Sequence, residues 1–110
     1  MGLFERDPIV RLLEELTKRM AAARESLAGG NPADAVVALE GARRSLLGPL
    51  ESTVDRVDAG TVVSLLGREK AAAYAALARL QGEARRALGE DAAAAAVEAL
   101  AGEIDRALAG

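Results

Sequence analysis

Apolar residues recur at spacings of three and four along the first part of the chain, a period that predicts an amphipathic helix. The apolar stripe runs from Ile9 to Leu27. Asp7 is suited to cap this helix and Pro8 to its first position, while the two glycines at 29–30 end it. We therefore expect a first helix between Pro8 and the glycine pair.

A second helix is predicted directly after the first one. Asn31 supplies a cap and Pro32 a first residue, and the apolar stripe that follows ends near Leu47, before the Gly-Pro pair at 48–49. Only about three residues separate the two helices. Because so short a connection leaves no room for another arrangement, the two helices are expected to fold back as an antiparallel hairpin.

The middle of the chain predicts shorter elements. Apolar residues with helical spacing between 50 and 57 predict a short third helix, and the Asp-Ala-Gly sequence at 58–60 interrupts it. The segment from Thr61 to Leu66 is apolar on nearly all sides. Since helical patterns flank this segment, we expect a short helix rather than a strand, either buried or part of an interface.

The last part of the chain predicts a second hairpin. A long helix is expected from Arg68 to Leu88 and a final one from Ala92 to Leu108, with a turn at 89–91 in which Asp91 is the cap. Apolar residues make up 51% of the chain but aromatic residues only 2%, so Ala and Leu, both strong helix formers, dominate. We predict one all-α domain over residues 1–110, an antiparallel helical bundle of two hairpins with one or two short connecting helices.

The composition argues against several classes of chemistry. The sequence contains no Cys and no His, so it lacks disulfide bonds, thiolate chemistry, the usual general base and the commonest transition-metal ligand. Lys70 has no neighbour that would recruit it as a nucleophile. We therefore predict no catalytic residues, no metal site and no cofactor, and an enzyme is the least favoured class of protein.

The charge balance argues against nucleic acids and membranes as partners. The net charge is −3 and no basic patch dominates, whereas nucleic-acid binding needs broad positive charge. No stretch approaches about 18 unbroken apolar residues, and the first residues lack the pattern of a signal peptide. The absence of Cys is compatible with a reducing compartment. We expect a cytoplasmic protein.

Three groups of polar or small residues allow two interpretations each. Glu51, Asp55 and Asp58 share a helical face and have the ligand type for a hard cation, but an exposed acidic face is favoured because no glycine-bearing ligand loop accompanies them. The Arg pairs at 43–44 and 85–86 either stabilise helix ends, with Glu40 paired to Arg44, or form a basic spot for an acidic peptide. The interior helical glycines mark either close helix contacts or exposed faces: Gly41, Gly82 and Gly102.

The two predicted hairpins repeat small residues at a constant offset of 59. A turn glycine followed by small residues five and twelve positions later resembles the tetratricopeptide (TPR) motif, in which small residues let the two helices of a hairpin pack closely. The family's bulky aromatic positions are empty here, and residues 48–67 are an insertion. The matching sets are Gly30, Ala35 and Ala42 with Gly89, Ala94 and Ala101, and Ala23 with Gly82 at the preceding small position.

The start of the first helix also resembles a group of uncharacterised bacterial TPR-like domains. Their opening signature is matched by Asp7, Ile9, Arg11, Leu13 and Glu14, and the second hairpin falls where that family has one, so the resemblance covers most of the chain. The resemblance implies a TPR-like fold and, by analogy, protein binding.

Two apolar features exceed the needs of a small core: the Leu-Phe pair at 3–4 and the segment at 62–66. Either the first folds over the end of the bundle and the second fills its middle, or both form an exposed patch that marks an interface. We predict a non-catalytic interaction module, an adaptor or accessory subunit, that binds a helix or peptide of another protein. The alternative is a homo-oligomer that buries the same patch against itself. The expected partner-binding residues are Phe4, Val62, Val63, Leu65 and Leu66.

Overall fold

The computed structural model describes residues 7–110, which form helices joined by short turns and, within this part of the chain, no strand. This confirms the predicted all-α antiparallel bundle with short connecting helices. A single turn of 3-10 helix over Gly48–Leu50 precedes the third helix. The helices are α1 (Pro8–Ala28), α2 (Pro32–Leu47), α3 (Glu51–Val54), α4 (Ala59–Leu66), α5 (Arg68–Ala87) and α6 (Asp91–Ala109).

The helix starts show where the predicted caps were right and where they were wrong. The Asp7 carboxylate accepts a hydrogen bond from the Ile9 backbone N–H at 2.8 Å, as a cap should. Asn31 stands at the cap position of α2 without such a side-chain bond, and Asp91 is already the first residue of α6, after Glu90. In both turns the carbonyl of the residue before the helix, Asn31 or Glu90, accepts a helical hydrogen bond, while its side chain makes no capping bond.

The middle segment is more helical after residue 58 and less helical before it than the sequence predicted. Helix α3 ends at Val54, short of the predicted 57. Asp58 is extended, with ψ of 169°, and its carboxylate accepts a hydrogen bond from the Thr61 N–H at 2.8 Å. Because this cap starts α4 at Ala59, Gly60 lies inside the helix rather than in a break.

The two hairpins, α1–α2 and α5–α6, turn through the same backbone geometry. Gly30 and Gly89 have φ of +79° and +80°, in the left-handed region that favours glycine. In each turn the following residue donates its N–H to the carbonyl five positions earlier, at 2.8 Å in the first turn and 2.9 Å in the second. These bonds satisfy the last carbonyls of the first helix of each pair. The offset of 59 therefore relates two equivalent turns.

The hydrophobic core joins both hairpins. Helix α2 packs against α5, and α4 packs against α5 and α6. The small residues that repeat at the offset of 59 are all buried, apart from the turn glycines, which lets the paired helices approach closely. None of the helices between residues 7 and 110 has the length and apolarity needed to cross a bilayer. The largest fully buried side chains are Leu39, Leu46, Val62, Leu77 and Ile104.

Candidate functional site

The predicted patch at 62–66 is divided between the core and the surface. Val62 is fully buried and Leu66 is 9% exposed, so both side chains belong to the core. Val63 is half-buried, and Leu65 is 42% exposed. Phe4 lies outside the described residues. Because Val62 and Leu66 share one face of α4, that face belongs to the core, and Leu65 is the apolar side chain of the segment left most exposed.

An apolar groove lies between α1 and α5, the first helices of the two hairpins; we call it the α1/α5 groove. It encloses about 320 Å³. Leu16 and Met20 are buried in it, and Leu13 and Ala73 are half-buried along its walls. It is lined by Leu13, Leu16, Thr17, Met20, Arg24, Glu69, Ala73 and Ala76.

The shape of the α1/α5 groove follows from the unequal side chains of the two helices. On α1 the lining residues are mostly long, whereas α5 contributes Ala73 and Ala76 beside Glu69. Because alanine extends no further than its Cβ, α5 leaves space beside Leu13 and Met20 rather than filling it. The result is a concave surface of apolar side chains on the outside of the bundle.

The charged side chains of the α1/α5 groove are available to a ligand. Within residues 7–110, neither Arg24 nor Glu69 forms a hydrogen bond or an ion pair, and both are exposed. The Thr17 hydroxyl, by contrast, donates to the Leu13 carbonyl at 2.9 Å. The groove therefore combines an apolar floor with one cation and one anion that have no partner in this part of the chain.

A second, larger groove lies between α1 and α2; we call it the α1/α2 groove. It encloses about 450 Å³. Leu16 is common to both grooves, so the two lie on either side of α1. The α1/α2 groove is lined by Pro8, Arg11, Leu12, Glu15, Leu16, Arg19, Ala42, Ser45 and Leu46.

The acidic residues considered for a cation serve structural roles instead. Glu51 and Asp55 both contact the Arg43 guanidinium, with N···O distances of 2.9 and 2.7 Å. Asp58 caps α4 through Thr61. Among residues 7–110, no three acidic side chains come together in an arrangement that would hold a metal ion. The acidic face predicted from the sequence is thus occupied by an ion-pair network and a helix cap.

Arg43 has a role that sequence reasoning missed. Its guanidinium carbon lies 5.9 Å from the centre of the Tyr74 ring, and Tyr74 is buried, as expected. Burial acts to lower the pKa of Arg43, but the Tyr74 hydroxyl and the nearby carboxylates outweigh it and raise the pKa above its ordinary value. Arg43 therefore ties α2 to α3 and α5. The signal in the sequence was the two acids one helical turn apart, Glu51 and Asp55.

The second basic pair is also used in ion pairs. Arg85 contacts Glu90 at 2.7 Å and Glu40 at 3.8 Å, so the predicted pairing of Glu40 with Arg44 is wrong. The tertiary contact between α2 and α5 brings Glu40 to Arg85 instead.

Arg86 forms a further polar contact within the second hairpin. Its guanidinium donates two hydrogen bonds to Glu98, at 3.0 and 2.5 Å. These bonds hold the pKa of the Glu98 carboxyl below its usual value and raise the pKa of Arg86. Arg43, Arg85 and Arg86 are therefore all paired with acids of the same chain, whereas Arg44 forms no ion pair within residues 7–110.

Comparisons with protein-family models, with curated proteins and with solved structures find no match to this chain. The two hairpins nevertheless share two features with each other: a turn of the same backbone geometry, at Gly30 and Gly89, and buried small residues on either side of that turn.

Proposed function

We propose that this chain is a non-catalytic, TPR-like interaction module that binds an amphipathic helix or peptide of another protein in the α1/α5 groove. One observation carries the proposal: an open apolar groove lies between the first helices of two equivalent hairpins, and its Arg24 and Glu69 have no ion-pair partner within residues 7–110. An amphipathic helix buries its apolar face in such a groove and leaves its polar face in water.

The lining residues define the chemistry of the partner. Leu13 and Met20 lie two helical turns apart on one face of α1, so the matching partner presents at least two apolar side chains with the same spacing. An acidic side chain on the partner is attracted to Arg24, and a basic one to Glu69. These charges set the orientation of the peptide, while apolar burial supplies most of the affinity.

A binding role accords better with this chain than a catalytic one. Within residues 7–110 no charged side chain is buried, and the acids considered for a cation are engaged by Arg43 and by the cap of α4. The absence of Cys from the sequence is compatible with action in the cytoplasm, where we place the proposed complex.

Two exposed alanines of α5 give a matched test. Ala76 lines the groove, whereas Ala72 is exposed on the same helix outside it. We expect the wild type and Ala72→Arg to capture the same stoichiometric partner from a lysate of the source organism. Ala76→Arg should weaken that complex at least about tenfold in a titration with the purified partner, equivalent to about 1.4 kcal/mol. Equal binding by Ala76→Arg, with all three proteins folded, would refute the proposed groove.

Self-assembly is the alternative function, and the same samples test it. Because Val62 and Leu66 are buried, Leu65 is the apolar side chain of the 62–66 segment left most exposed for a second copy. Light scattering of the purified chain distinguishes a monomer of 11.3 kDa from a defined multiple. A dimer that Leu65→Glu dissociates, together with no foreign partner, would favour a homo-oligomer and contradict the binding module.

A further inference from the structure

Two arginine side chains from different helices come together over Gly41 of α2. A Cβ atom on Gly41 would stand 3.4 Å from Nη1 of Arg19, on α1, and 3.9 Å from Nη2 of Arg44, on α2. The two nitrogens are therefore no further apart than the sum of these two distances. Because glycine has no side chain, position 41 leaves free the space that the two guanidinium groups share.

The two arginines have no acidic partner in the part of the chain that the structure describes. Within residues 7–110, neither Arg19 nor Arg44 forms a hydrogen bond or an ion pair, and both are exposed. Arg43, the neighbour of Arg44, is by contrast held by two acids. Two cations this close repel each other, so an anion between them would relieve the repulsion and accept hydrogen bonds from both.

The acidic residues one helical turn before these arginines contact other cations. Glu40 contacts Arg85, and Glu15 contacts Lys18, each at 3.8 Å. Glu15 also lines the α1/α2 groove beside Arg19, so its negative charge belongs to the surroundings of the site. One carboxylate set against two guanidinium groups still leaves the surface over Gly41 with net positive charge.

This positive surface adjoins the α1/α2 groove. Arg19 lines the groove, and so does Ser45, the residue that follows Arg44. The floor of the groove is apolar, with Leu16 and Leu46 buried in it. A ligand that carries an anionic group next to an apolar side chain therefore matches both parts of the surface.

We propose that Arg19 and Arg44 bind the carboxylate of an acidic side chain in a partner peptide, and that a neighbouring apolar side chain of the peptide lies in the α1/α2 groove. This groove and the α1/α5 groove lie on either side of α1. The carboxylate site is therefore a second binding site, and it stands or falls independently of the α1/α5 groove.

A carboxylate fits this site better than a phosphoryl group. Two donors that approach from two helices match the two oxygens of a carboxylate, at N···O distances of about 2.7–2.9 Å. A phosphoryl group has three acceptor oxygens and nearly twice the charge, which Glu15 opposes. Gly41 also lies inside α2, where backbone N–H groups are used by the helix and are not available to a phosphate.

Three capped peptides that differ in one residue test the site: acetyl-Leu-Ala-Glu-amide, its Gln analogue and its phosphoserine analogue. Each is titrated into the isotope-labelled chain at an ionic strength of about 0.15 M, which screens attraction between exposed charges. The Glu peptide should shift the Nε–Hε resonances of Arg19 and Arg44 saturably, and the Gln peptide should bind at least about tenfold more weakly. Equal binding of the Gln peptide would overturn the proposal. Binding of the phosphoserine peptide more than about tenfold tighter than the Glu peptide would also overturn it, by assigning the site to phosphorylated segments.

Substitutions that remove one charge test whether the two arginines act together. Arg19→Gln and Arg44→Gln should each weaken binding of the Glu peptide at least about fivefold. Arg106→Gln is the matched control, because Arg106 is also exposed, lies 3.6 Å from a Cβ on the interior Gly102 and forms no ion pair within residues 7–110. It should leave binding unchanged. Equal weakening by all three substitutions would show that only the net charge of the chain matters, and this would contradict the site. Circular dichroism confirms that each variant is folded.

Discussion

Gly82 on α5 and Glu98 on α6 lie so close that a Cβ atom on Gly82 would stand 2.7 Å from Cγ of Glu98. Glu98 in turn accepts two hydrogen bonds from Arg86. Gly82 therefore marks a close helix contact, one of the two interpretations that the sequence allowed. Gly102, on α6, differs: a Cβ there would meet only the end of the Arg106 side chain, at 3.6 Å.

This difference predicts opposite outcomes for two similar substitutions. Gly102→Ala should raise the free energy of unfolding by about 0.5–1 kcal/mol, because alanine is the better helix former and space is available. Gly82→Ala should give no such gain, because the added methyl displaces Glu98 from Arg86. Urea denaturation monitored by circular dichroism measures both. In a Glu98→Ala background the obstacle is removed, so Gly82→Ala should then stabilise; additive effects of the two changes would contradict the contact.

The turn glycines predict matched losses of stability in the two hairpins. Alanine at Gly30 or Gly89 meets no neighbouring atom within 4 Å, yet it must adopt a left-handed backbone. Each substitution should therefore lower the free energy of unfolding by about 1–2 kcal/mol, entirely through backbone strain. Thermal or urea unfolding tests this, with Asn at the same positions as a control that tolerates positive φ better. Loss at only one of the two turns would show that they are not equivalent.

Removing the ion pairs of Arg43 should destabilise the segment between the hairpins locally. Replacing Arg43 by Met keeps much of its apolar stem but removes the contacts with Glu51 and Asp55, so the free energy of unfolding should fall by about 1 kcal/mol. Hydrogen exchange of the α3 amides should speed up more than that of α1. Arg44→Met is the matched control, because Arg44 is its neighbour on α2 and forms no ion pair within residues 7–110. Equal effects of the two changes would exclude a bridging role for Arg43.

The cap formed by Asp58 should make the stability of the fold depend on pH in the acid range. Hydrogen bonding from Thr61 holds the pKa of the Asp58 carboxyl below its ordinary value. A carboxyl whose pKa is lower in the folded chain stabilises the fold fully above its unfolded pKa of about 3.9, and this contribution is lost as the pH falls through the folded pKa. The melting temperature of the wild type should therefore exceed that of Asp58→Ala at neutral pH, by a margin that shrinks below about pH 4.

Asn is the control for this titration. It caps helices as well as Asp does but carries no proton to bind, so the margin of Asp58→Asn over Asp58→Ala should persist in acid. If the wild type and Asp58→Asn keep the same margin over Asp58→Ala at every pH, titration of Asp58 does not contribute to the pH dependence of stability.

Much of the local structure could be read from the sequence. The boundaries of α1 and α2 were predicted from Pro8, Pro32 and the glycines that follow each helix, because proline and glycine restrict or free the backbone wherever they stand. The burial of Tyr74 followed from its place in an apolar stripe. These are properties of a residue and its near neighbours in the chain, so they can be predicted without knowledge of the fold.

The uses of individual side chains could not be read in the same way. The sequence left open whether Val62 and Leu66 were core or surface, and it paired Glu40 with the wrong arginine. Residues far apart in the chain decide both outcomes, through the packing of α4 on the second hairpin and of α2 on α5.

The sequence alone therefore determined an all-α chain, the main helix boundaries and a repeat of two equivalent turns, because hydrophobic periodicity and backbone preference act locally. Only the tertiary structure decided that α1 and α5 leave the α1/α5 groove between them, with Ala73 and Ala76 of α5 lining it together with Leu13 and Met20 of α1. A groove is the space left between two packed helices, so it exists only once their relative position is known.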